Sequence, residues 1–418
     1  MTDSDSIVKL ESFIESQITH PQRVSDEIEE KMSTEKHAIM RDIFKTVQKF
    51  MLGHNAVLYG GLAINQLLPK RLQFYERHAL PDFDCFVNKA NERSIDLANV
   101  LVKQGYIYTE VKHAMHEGTF KVFCNFESVA DITSLTPTEN KIMLANAQTA
   151  MYGNERILVA STHYLKAMAY KELALPASAH FRWTKVLHRV LLLEHAQPQE
   201  DNGLETNRLY ASKIIHKAHS PIYSQLKRYA SDNELVLIGS HSVVKFLRLD
   251  VLKRKANSLS VLSNNPDKHV NEMIEIVESK DYRVEMRTTD SGGNFVPIKY
   301  TLFATHVKSN GRPVKLITVY DSTKLCIAYY KHGHHMYSSL YFEMYMLNIK
   351  LFMRIGNVDE SCKLLHMLRN ILFGDEERAQ IMRRFSSKCY GNATDMLTLR
   401  KENWDNKKKM LFYRPKTI

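Results

Sequence analysis

The chain has 418 residues, of which 44% are hydrophobic and 25% are charged, and its formal net charge is +11. This length suits two or three domains, and so large a hydrophobic fraction argues against a mainly disordered chain. The positive charge favours an anionic partner such as nucleic acid, and no apolar run approaches the roughly 18–20 residues of a membrane-spanning helix.

The N-terminal sequence and the cysteines bear on the compartment. The sequence MTDSDSIVKLESF lacks the basic region and the apolar core of a secretory signal, so we expect a protein that is not secreted. The cysteines are odd in number and no two of them have Cys-x-x-Cys spacing; they are Cys85, Cys124, Cys326, Cys362 and Cys389. This pattern favours a reducing compartment and argues against a disulfide framework and against a cysteine-based zinc site.

Residues 1–50 are predicted to form an N-terminal helical region. Between positions 39 and 51 the apolar residues recur at i, i+3 and i+4, which places them on one face of a helix. Residues 7–18 show the same spacing, and Pro21 separates the two segments. A packing face is the simplest explanation for this pattern, so we assign no chemistry to the region.

The next predicted elements are a short strand and a helix joined by two glycines. Ala56, Val57 and Leu58 are apolar and predict the strand, and Gly60 and Gly61 then open a helix. A turn without side chains lets backbone N–H groups approach a phosphate at the N-terminus of the helix. Gly60 and Gly61 are therefore candidate nucleotide-binding residues that would line a triphosphate.

Carboxylates on two later strands complete the pattern. Asp82 and Asp84 lie one residue apart in PDFDCF, and alternate residues of a strand point to the same face. Two neighbouring carboxylates repel each other unless a cation lies between them, and Mg²⁺ is the simplest such cation. Asp131 lies between Ala130 and Ile132 at the end of another predicted strand. We predict Asp82, Asp84 and Asp131 to be both the catalytic residues and the metal ligands.

Basic residues on the following helices are candidates for binding the nucleotide. The segment ASTHYLKAMAYKELALPASAHFRWTKVLHRVLLLE predicts two helices separated at Pro176. Its cations that would contact the triphosphate or the base are Lys166, Lys171, Arg182 and Lys185. Any one of them alone is more often a solvated surface charge, so they rank below the aspartates. A polar linker at 197–207 closes the predicted catalytic domain, residues 51–200.

The second half of the chain repeats the order of the first. LVLIGSHSVVKFL, residues 235–247, has the strand–glycine–helix pattern of AVLYGGLAINQLL, and LSVLSN follows where PDFDCF is expected. KLITVYDST, residues 315–323, corresponds to SVADITS, and LCIAYYKHG corresponds to the helical LKAMAYKEL. We interpret residues 201–418 as a degenerate second copy with helical additions, although strand–glycine–helix units are common in α/β proteins. Ser258 and Ser260 replace the aspartate pair there, so this copy is predicted to be catalytically inactive.

The C-terminal tail RKENWDNKKKMLFYRPKTI interleaves basic and aromatic residues. This composition suits single-stranded nucleic acid, because cations follow the phosphates and rings stack on the bases. A solvated charge run explains it equally well. The sequence contains neither the Gly-x-x-x-x-Gly-Lys phosphate loop nor the Gly-x-Gly-x-x-Gly fingerprint, which disfavours P-loop ATPases and dinucleotide-binding enzymes.

The order of these motifs resembles the active site of the polymerase-beta-like nucleotidyltransferase superfamily. In this order a glycine pair comes first, then Asp82 and Asp84, and then the distant Asp131. Within it, GGLAIN with PDFDCF is most similar to the polyadenylate polymerase catalytic subunits of large cytoplasmic DNA viruses, of the poxvirus and giant-virus type. The motifs cover roughly residues 55–190, and the rest resembles the family in architecture. The resemblance implies an α/β (α+β) protein, with a nucleotidyltransferase domain followed by a degenerate second nucleotidyltransferase-like domain.

The resemblance also implies a function. We expect template-independent addition of AMP from ATP to RNA 3′ ends by two-metal phosphoryl transfer, with two Mg²⁺ or Mn²⁺ ions as cofactors. One ion, held by all three carboxylates, would activate the RNA 3′-hydroxyl, and the other, held by Asp82 and Asp84, would bind the triphosphate. The expected partners are ATP and a single-stranded RNA 3′ end, with no membrane, in a homodimer or in a heterodimer with a processivity subunit. The expected location is the cytoplasm of an infected cell, in a viral factory or virion.

Other functions stay open at this stage. The motifs support nucleotidyl transfer, but only the resemblance separates poly(A) addition from terminal uridylyl, CCA or small-molecule transfer. Alternatively, the chain is a non-catalytic RNA-binding scaffold or processivity subunit that retains the fold. The presence of Asp82, Asp84 and Asp131 argues against this alternative, since an inactive copy has no need of all three carboxylates.

Overall fold

The computed structural model describes ten segments of the chain. These are residues 22–28, 38–75, 83–114, 118–198, 220–247, 259–289, 295–308, 311–374, 385–391 and 412–416. Asp82, Ser258 and most of the basic tail lie outside the described residues, so the predictions that concern them stay predictions. No helix within the ten segments is long and apolar enough to cross a membrane.

Helices flank two β-sheets. The helices are α1 (38–53), α2 (Gly60–Leu67), α3 (Ala90–Lys103), α4 (Pro137–Asn146), α5 (Thr162–Ala174), α6 (Pro176–Ala179), α7 (Trp183–Ala196), α8 (Ser220–Asp232), α9 (Ser240–Leu247), α10 (Pro266–Glu278), α11 (Leu340–Met353) and α12 (Val358–Phe373). The strands are β1 (Val57–Leu58), β2 (Phe83–Phe86), β3 (Thr109–His113), β4 (Thr119–Cys124), β5 (Glu127–Thr133), β6 (Gln148–Tyr152), β7 (Glu155–Val159), β8 (Val236–Leu237), β9 (Leu259–Ser263), β10 (Tyr282–Thr289), β11 (Lys299–His306), β12 (Val314–Asp321), β13 (Ile327–His332), β14 (His335–Ser338), β15 (Cys389–Tyr390) and β16 (Phe412–Tyr413).

The N-terminal region is helical where the structure describes it. Residues 22–28 form a short helix before α1, in agreement with the prediction. The apolar face of α1 is buried: Ile43 and Val47 have no exposed surface, and the ring of Phe44 lies 5.7 Å from the ring of Phe83 in β2. The apolar spacing of α1 is therefore explained by packing against the first sheet. The segment at 7–18 lies outside the described residues.

The two sheets have the same strand order. Within the described segments the first sheet runs β16-β3-β4-β5-β2-β1-β7-β6, and the second runs β10-β11-β12-β9-β8-β14-β13-β15. Apart from the end strands β16 and β15, each strand of the first sheet corresponds to the strand seven positions later in chain order. Pairing directions agree as well, because β2 and β5 are parallel as β9 and β12 are, and β1 and β7 are parallel as β8 and β14 are. This repeat confirms the predicted fold, a first unit followed by a second copy of it.

The helices repeat along with the strands. Helix α1 precedes β1 as α8 precedes β8, and α5 follows β7 as α11 follows β14. Helices α5 and α11 also begin in the same way, because Ser161 caps α5 and Ser339 caps α11. Each serine hydroxyl accepts a hydrogen bond of 3.3 Å from the backbone N–H three residues later. Helices α5 and α11 pack against each other. The two copies therefore meet through equivalent helices.

One face of the first sheet is covered and the other carries polar side chains. Helix α3 packs on β3, β4 and β5. The side chains of β4 alternate accordingly: Phe120, Val122 and Cys124 are buried, whereas Lys121 and Phe123 point to the opposite face and stay partly exposed. The predicted site residue Asp131 lies on this second, partly exposed face, because it is directly opposite Lys121 in the register of β4 and β5.

The structure corrects the assignment of two segments. The sequence pattern equates LCIAYYKHG with the helix LKAMAYKEL, but Ile327–His332 is the strand β13, and the counterpart of α5 is α11. A short apolar run does not by itself separate a buried strand from a helix. Phe412 and Tyr413, which the pattern assigns to the second copy, form β16 at the edge of the first sheet. The chain thus returns to the first copy, and the predicted domain boundaries stay a prediction.

A disulfide bond joins Cys326 and Cys389, contrary to the expectation drawn from the cysteine spacing. The two residues are 63 positions apart, and they come together because β13 pairs with β15, with Ala328 opposite Cys389. A contact between strands so distant in sequence leaves no local signature, so the spacing does not predict it. Cys85 and Cys124 are buried free thiols.

Candidate active site

The turn between β1 and α2 places the glycine pair at the N-terminus of a helix. β1 ends at Leu58, and the backbone N–H of Tyr59 donates a hydrogen bond of 2.9 Å to the carbonyl oxygen of Asp84. Gly60 follows with φ of +70°, a left-handed conformation that favours glycine. Among the described residues, no side chain of the N-cap position bonds to the first turn of α2. The N–H groups of this turn are therefore suited to an anionic ligand.

Both glycines also lie very close to neighbouring side chains. A β-carbon on Gly60 would lie 2.5 Å from Oδ2 of Asp84, and one on Gly61 would lie 2.5 Å from the hydroxyl of Tyr75 and 2.7 Å from Nη1 of Arg189. Each of these distances is far below van der Waals contact. A β-carbon at either position would force the carboxylate on one side or the guanidinium on the other to move, which favours glycine at both positions.

Asp84 and Asp131 are the predicted carboxylates that the structure brings together. β2 and β5 are parallel neighbours, and their register places Asp84 directly opposite Asp131. The Asp131 side chain is 15% exposed. Its Oδ2 accepts a hydrogen bond of 2.5 Å from the ammonium of Lys121, and its Oδ1 accepts one of 3.4 Å from the hydroxyl of Ser128. The Asp84 side chain is half-buried beside the glycine turn.

Titratable neighbours of the carboxylates are held neutral. Burial, and then the charge of Asp84, raise the pKa of the Tyr59 hydroxyl well above its usual value, and this hydroxyl is hydrogen bonded to Thr133 at 2.9 Å. Burial also raises the pKa of the Cys85 thiol, to which the charges of Asp84 and Asp131 add. The negative charge of the site therefore comes from its aspartates. The Cys85 thiol is buried, donates a hydrogen bond of 3.3 Å to the sulfur of Met51, and is not a nucleophile.

The donor set fits a hard divalent cation. Asp84 and Asp131 offer carboxylate oxygens from adjacent strands, and these are the ligands that Mg²⁺ prefers. The ammonium of Lys121 already contacts the Asp131 carboxylate, which indicates that the pair attracts positive charge. Within the described residues no three acidic, histidine or cysteine side chains form a metal-binding group, and Asp82, the third predicted ligand, lies outside them.

The structure does not place Lys166 at this site. The Lys166 side chain is 3% exposed, and its ammonium donates hydrogen bonds of 2.8 Å to Oε2 of Glu194 and 2.7 Å to the carbonyl of Gln197. The hydroxyl of Tyr170 donates to the other carboxylate oxygen of Glu194 at 2.9 Å. Burial lowers the pKa of Lys166, an effect that the Glu194 carboxylate opposes. Lys166 thus fastens α5 to α7, and we leave it out of the proposed nucleotide site.

Arg182 and Lys185 belong to a cationic cluster around Glu172. Nε of Arg182 lies 3.4 Å from Oε2 of Glu172. Burial raises the pKa of the Glu172 carboxyl, and Arg182, Arg189 and Lys185 oppose this effect. Three cations around one carboxylate leave an excess of positive charge, which Arg189 extends to the glycine turn. Lys171 lies elsewhere, at the interface of the two copies, where burial lowers its pKa and its ammonium is 5.8 Å from the ring centroid of Tyr345.

Arg189 lies at the candidate site, although the sequence did not single it out. Its guanidinium lies 4.6 Å from the ring centroid of Phe74 and 5.5 Å from that of Tyr75, and it donates a hydrogen bond of 3.0 Å to the Tyr75 hydroxyl. These contacts fix the guanidinium beside Gly61. A signal was available, because positions 182, 185 and 189 have the spacing of one helix face. The aromatic partners are more than a hundred residues away and leave no local signal.

The second copy lacks the charges of the first at equivalent positions. Register places Ser260 where the first copy has Asp84, and it pairs Ser260 with Thr318, the counterpart of Asp131. Gly239 repeats the left-handed conformation of Gly60, with φ of +68°. Its N–H donates to both carboxylate oxygens of Glu343, at 3.0 and 3.1 Å. The amide that would meet a phosphate in the first copy is therefore satisfied internally in the second.

The duplicated sheet, the glycine turn and the paired carboxylates resemble the arrangement of a nucleotidyltransferase. Residues 45–179 match the family model described as the poly(A) polymerase catalytic subunit. The chain is 24% identical over 334 residues to a putative poly(A) polymerase catalytic subunit of Acanthamoeba polyphaga mimivirus, a match that covers 72% of this chain and 54% of that protein. It is 30% identical over 115 residues to the corresponding putative protein of African swine fever virus, covering 27% of this chain and 23% of that protein.

A solved structure has the same fold. The crystal structure of the Megavirus polyadenylate synthase superposes with a TM-score of 0.73 and 15% sequence identity, covering 91% of this chain and 80% of that chain. The chain spans about half the length of the mimivirus protein that it matches. The resemblance to the polyadenylate polymerase catalytic subunits of large DNA viruses is therefore confirmed.

Proposed function

We propose that this protein is a template-independent poly(A) polymerase, which adds AMP from ATP to the 3′ ends of RNA. The observation that carries the proposal is the juxtaposition of Asp84 and Asp131 beside the N-terminus of α2, opened by Gly60. A phosphate-binding turn next to two carboxylates is the arrangement that phosphoryl transfer from a nucleoside triphosphate requires. The family match over residues 45–179 supports adenylyl transfer in particular.

Each group of residues has a role in this proposal. The N–H groups at Gly60 and Gly61 bind the triphosphate, together with the guanidinium of Arg189. Arg182 and Lys185 supply further positive charge around Glu172, and Lys171 is a candidate from the other side of α5. Asp82, Asp84 and Asp131 would hold two Mg²⁺ or Mn²⁺ ions. When bound, such ions activate the attacking 3′-hydroxyl and neutralise the charge of the leaving pyrophosphate.

The proposal includes the partners and the location. The substrates are ATP and a single-stranded RNA 3′ end, and the protein works without a membrane, as a homodimer or with a processivity subunit. It acts in the cytoplasm of a cell infected by a large DNA virus, in the viral factory or the virion. The viral origin of the relatives supports this location.

The proposal is tested by incubating the full chain with an unstructured RNA primer and Mg²⁺ or Mn²⁺. Each nucleoside triphosphate is then supplied in turn. We expect extension with ATP, and extension with UTP or CTP instead would favour another terminal transferase. The two copies provide a matched pair of variants, Asp84→Asn and Ser260→Ala, at equivalent positions. Asp84→Asn should abolish extension and Ser260→Ala should leave it intact. Binding of RNA without extension by any nucleotide would indicate the non-catalytic scaffold.

A further inference from the structure

A row of side chains crosses the first sheet from the carboxylates to the edge. Its members lie directly opposite one another on neighbouring strands, in the order Asp84, Asp131, Lys121, Lys112 and Phe412. Neighbouring strands are about 4.8 Å apart, so Phe412 is about 14 Å from Asp131 along this line. We call Lys121, Lys112 and Phe412 the cross-strand row. It connects the candidate active site to the edge of the sheet formed by the C-terminal strand β16.

The cross-strand row is accessible along its whole length. The Lys121 side chain is 36% exposed and that of Lys112 is 46% exposed. Phe412, a large apolar residue, is 57% exposed. The row lies on the face of the sheet opposite α3, because Val111 and Val122, which alternate with its lysines, are fully buried. A ligand at the carboxylates could therefore extend over this face to the edge.

Cations and aromatic rings are interleaved at the outer end of the row. The ammonium of Lys112 lies 5.1 Å from the ring centroid of Phe123 and 5.7 Å from that of Phe412. The guanidinium of Arg414 lies 5.6 Å from the ring of Phe412 on β16. Glu110 pairs with both cations, with its Oε2 3.2 Å from Arg414. Two cations around one carboxylate leave a positive excess beside exposed rings.

We propose that the cross-strand row binds the single-stranded 3′ segment of the RNA and leads it to Asp84 and Asp131. Phosphates of the strand contact Lys121 and Lys112, and an unpaired base stacks on Phe412. This inference rests on the proposed function, since it assigns the path of its RNA substrate. Single-stranded RNA is the ligand that fits this surface. Its unpaired bases can stack on the exposed rings, and its phosphates can contact the lysine ammonium groups. A duplex offers phosphates, but its base faces are already stacked.

The second copy shows which part of this arrangement belongs to the fold itself. The counterparts of Lys121 and Lys112 there are Thr301 and Arg287. The guanidinium of Arg287 lies 4.4 Å from the ring of Phe303, so the pairing of a cation with a ring is present in both copies. Among the described residues, two features are found only in the first copy: Lys121, where the second copy has Thr301, and the strand β16 with Phe412. Arg287 is therefore a control for Lys112, equivalent in position but on the second sheet, where Ser260 and Thr318 stand in place of the carboxylates.

The C-terminal strand has an anchor that is separate from the proposed contact. Tyr413 points to the face opposite Phe412, where its hydroxyl donates a hydrogen bond of 2.7 Å to Oδ1 of Asn99 in α3. Deletion of the tail would remove this anchor together with Phe412 and would confuse folding with binding. Point substitution of Phe412 keeps the anchor in place and isolates the exposed ring.

The test measures RNA affinity and ATP affinity of the full chain separately. The probes are a fluorescently labelled, unstructured RNA oligonucleotide, without divalent ions, and a non-hydrolysable ATP analogue with Mg²⁺. We expect Phe412→Ala to weaken RNA binding about tenfold, the effect of one lost base stack. Lys112→Gln should reduce the steepness of the salt dependence by about 0.7 in log–log slope, the effect of one lost phosphate contact. Neither variant should change affinity for the ATP analogue, and Arg287→Gln should change neither affinity.

The outcomes separate this inference from the proposed function. If the wild type binds RNA and the variant with both Phe412→Ala and Lys112→Gln binds it within twofold, the inference is wrong even where poly(A) addition is observed. An equal loss in Arg287→Gln would also contradict it, because the effect would then be general. If no nucleotide is added but the two variants bind RNA more weakly, the proposed function fails and the RNA path stands. A change in oligomeric state without a change in RNA affinity would make the row an interface between copies and overturn the inference.

Discussion

Gly60 and Asp84 approach so closely that a β-carbon on the glycine would lie 2.5 Å from the aspartate Oδ2. The contact joins the two halves of the candidate site, because Gly60 starts the helix that offers amides to a phosphate and Asp84 is a predicted metal ligand. The hydrogen bond of 2.9 Å from the N–H of Tyr59 to the carbonyl of Asp84 holds the two segments in this position. In the proposed function, phosphate binding and metal binding would therefore be coupled through one turn of the backbone.

Substitution of Gly60 by alanine should abolish nucleotide addition. The new β-carbon would displace the Asp84 carboxylate, and the left-handed backbone at +70° would be strained by about 1–2 kcal/mol. We expect the rate of AMP addition to fall by at least a hundredfold, with a folded protein by circular dichroism. The second copy supplies the matched control. Gly239→Ala has the same strain at +68°, but the nearest atom is Cβ of Ser260 at 4.0 Å. Equal losses of activity in the two variants would show that strain alone causes the effect.

The parts of the site that lie within short sequence motifs could be predicted. Gly60, Gly61, Asp84 and Asp131 each follow or belong to a short apolar strand, and the structure brings them together. The order of the motifs also predicted the duplication. In KLITVYDST, however, the only aspartate is not the counterpart of Asp131. Register makes Thr318 the counterpart of Asp131, whereas Asp321 lies three residues further on. A pattern of apolar residues fixes a strand but not its register.

The features that the sequence could not supply depend on contacts between distant segments. Lys166 and Lys185 look alike as basic residues of neighbouring helices, yet one is buried against Glu194 and the other is exposed. Only the packing of α5 on α7 separates them. The cross-strand row likewise needs β16 to return to β3, over a separation of three hundred residues. Burial and strand pairing at such distances have no local signal in amino-acid spacing.

Lys166→Ala should destabilise the protein without changing its affinity for ATP. The substitution leaves the buried carboxylate of Glu194 without the ammonium that lies 2.8 Å from it. Because Nε of Arg369 remains 3.7 Å away, the loss should lie near the lower end of the roughly 3–5 kcal/mol that breaking a buried pair costs. We expect a lower midpoint of thermal unfolding and, for the folded fraction, an unchanged KM for ATP. Lys185→Ala is the control, since this side chain is exposed; its stability should be near that of the wild type and its KM for ATP should rise. A raised KM with normal stability in Lys166→Ala would return Lys166 to the nucleotide site.

Glu343 should make the second copy less stable as the pH rises. Burial raises the pKa of this carboxyl from 4.5 to about 7, while hydrogen bonds from Ser338 and Gly239 oppose the effect. The folded state therefore holds a proton that the unfolded state releases, so stability from this group is complete below pH 4.5 and is lost as the pH rises to about 7. A shift of this size corresponds to about 3 kcal/mol. The difference in unfolding free energy between wild type and Glu343→Gln, measured across this range, should fall in the same direction. A difference that does not change with pH would mean that the carboxyl is solvated.

The affinity for single-stranded RNA should fall steeply with salt. Each phosphate that the protein neutralises releases counterions, which gives a log–log slope of roughly −0.7 per contact on single strands. The net charge of +11 leads us to expect several contacts, of which Lys112 and Lys121 would supply two. Dependence on RNA sequence should be weak, because phosphate contacts and stacking do not read the edges of the bases. Titrations of unstructured oligonucleotides of different composition at several salt concentrations measure both quantities. An RNA affinity that stays constant between low and physiological salt would exclude an electrostatic RNA path over this surface. A strong preference for one RNA sequence would require contacts with base edges, which the cross-strand row does not provide.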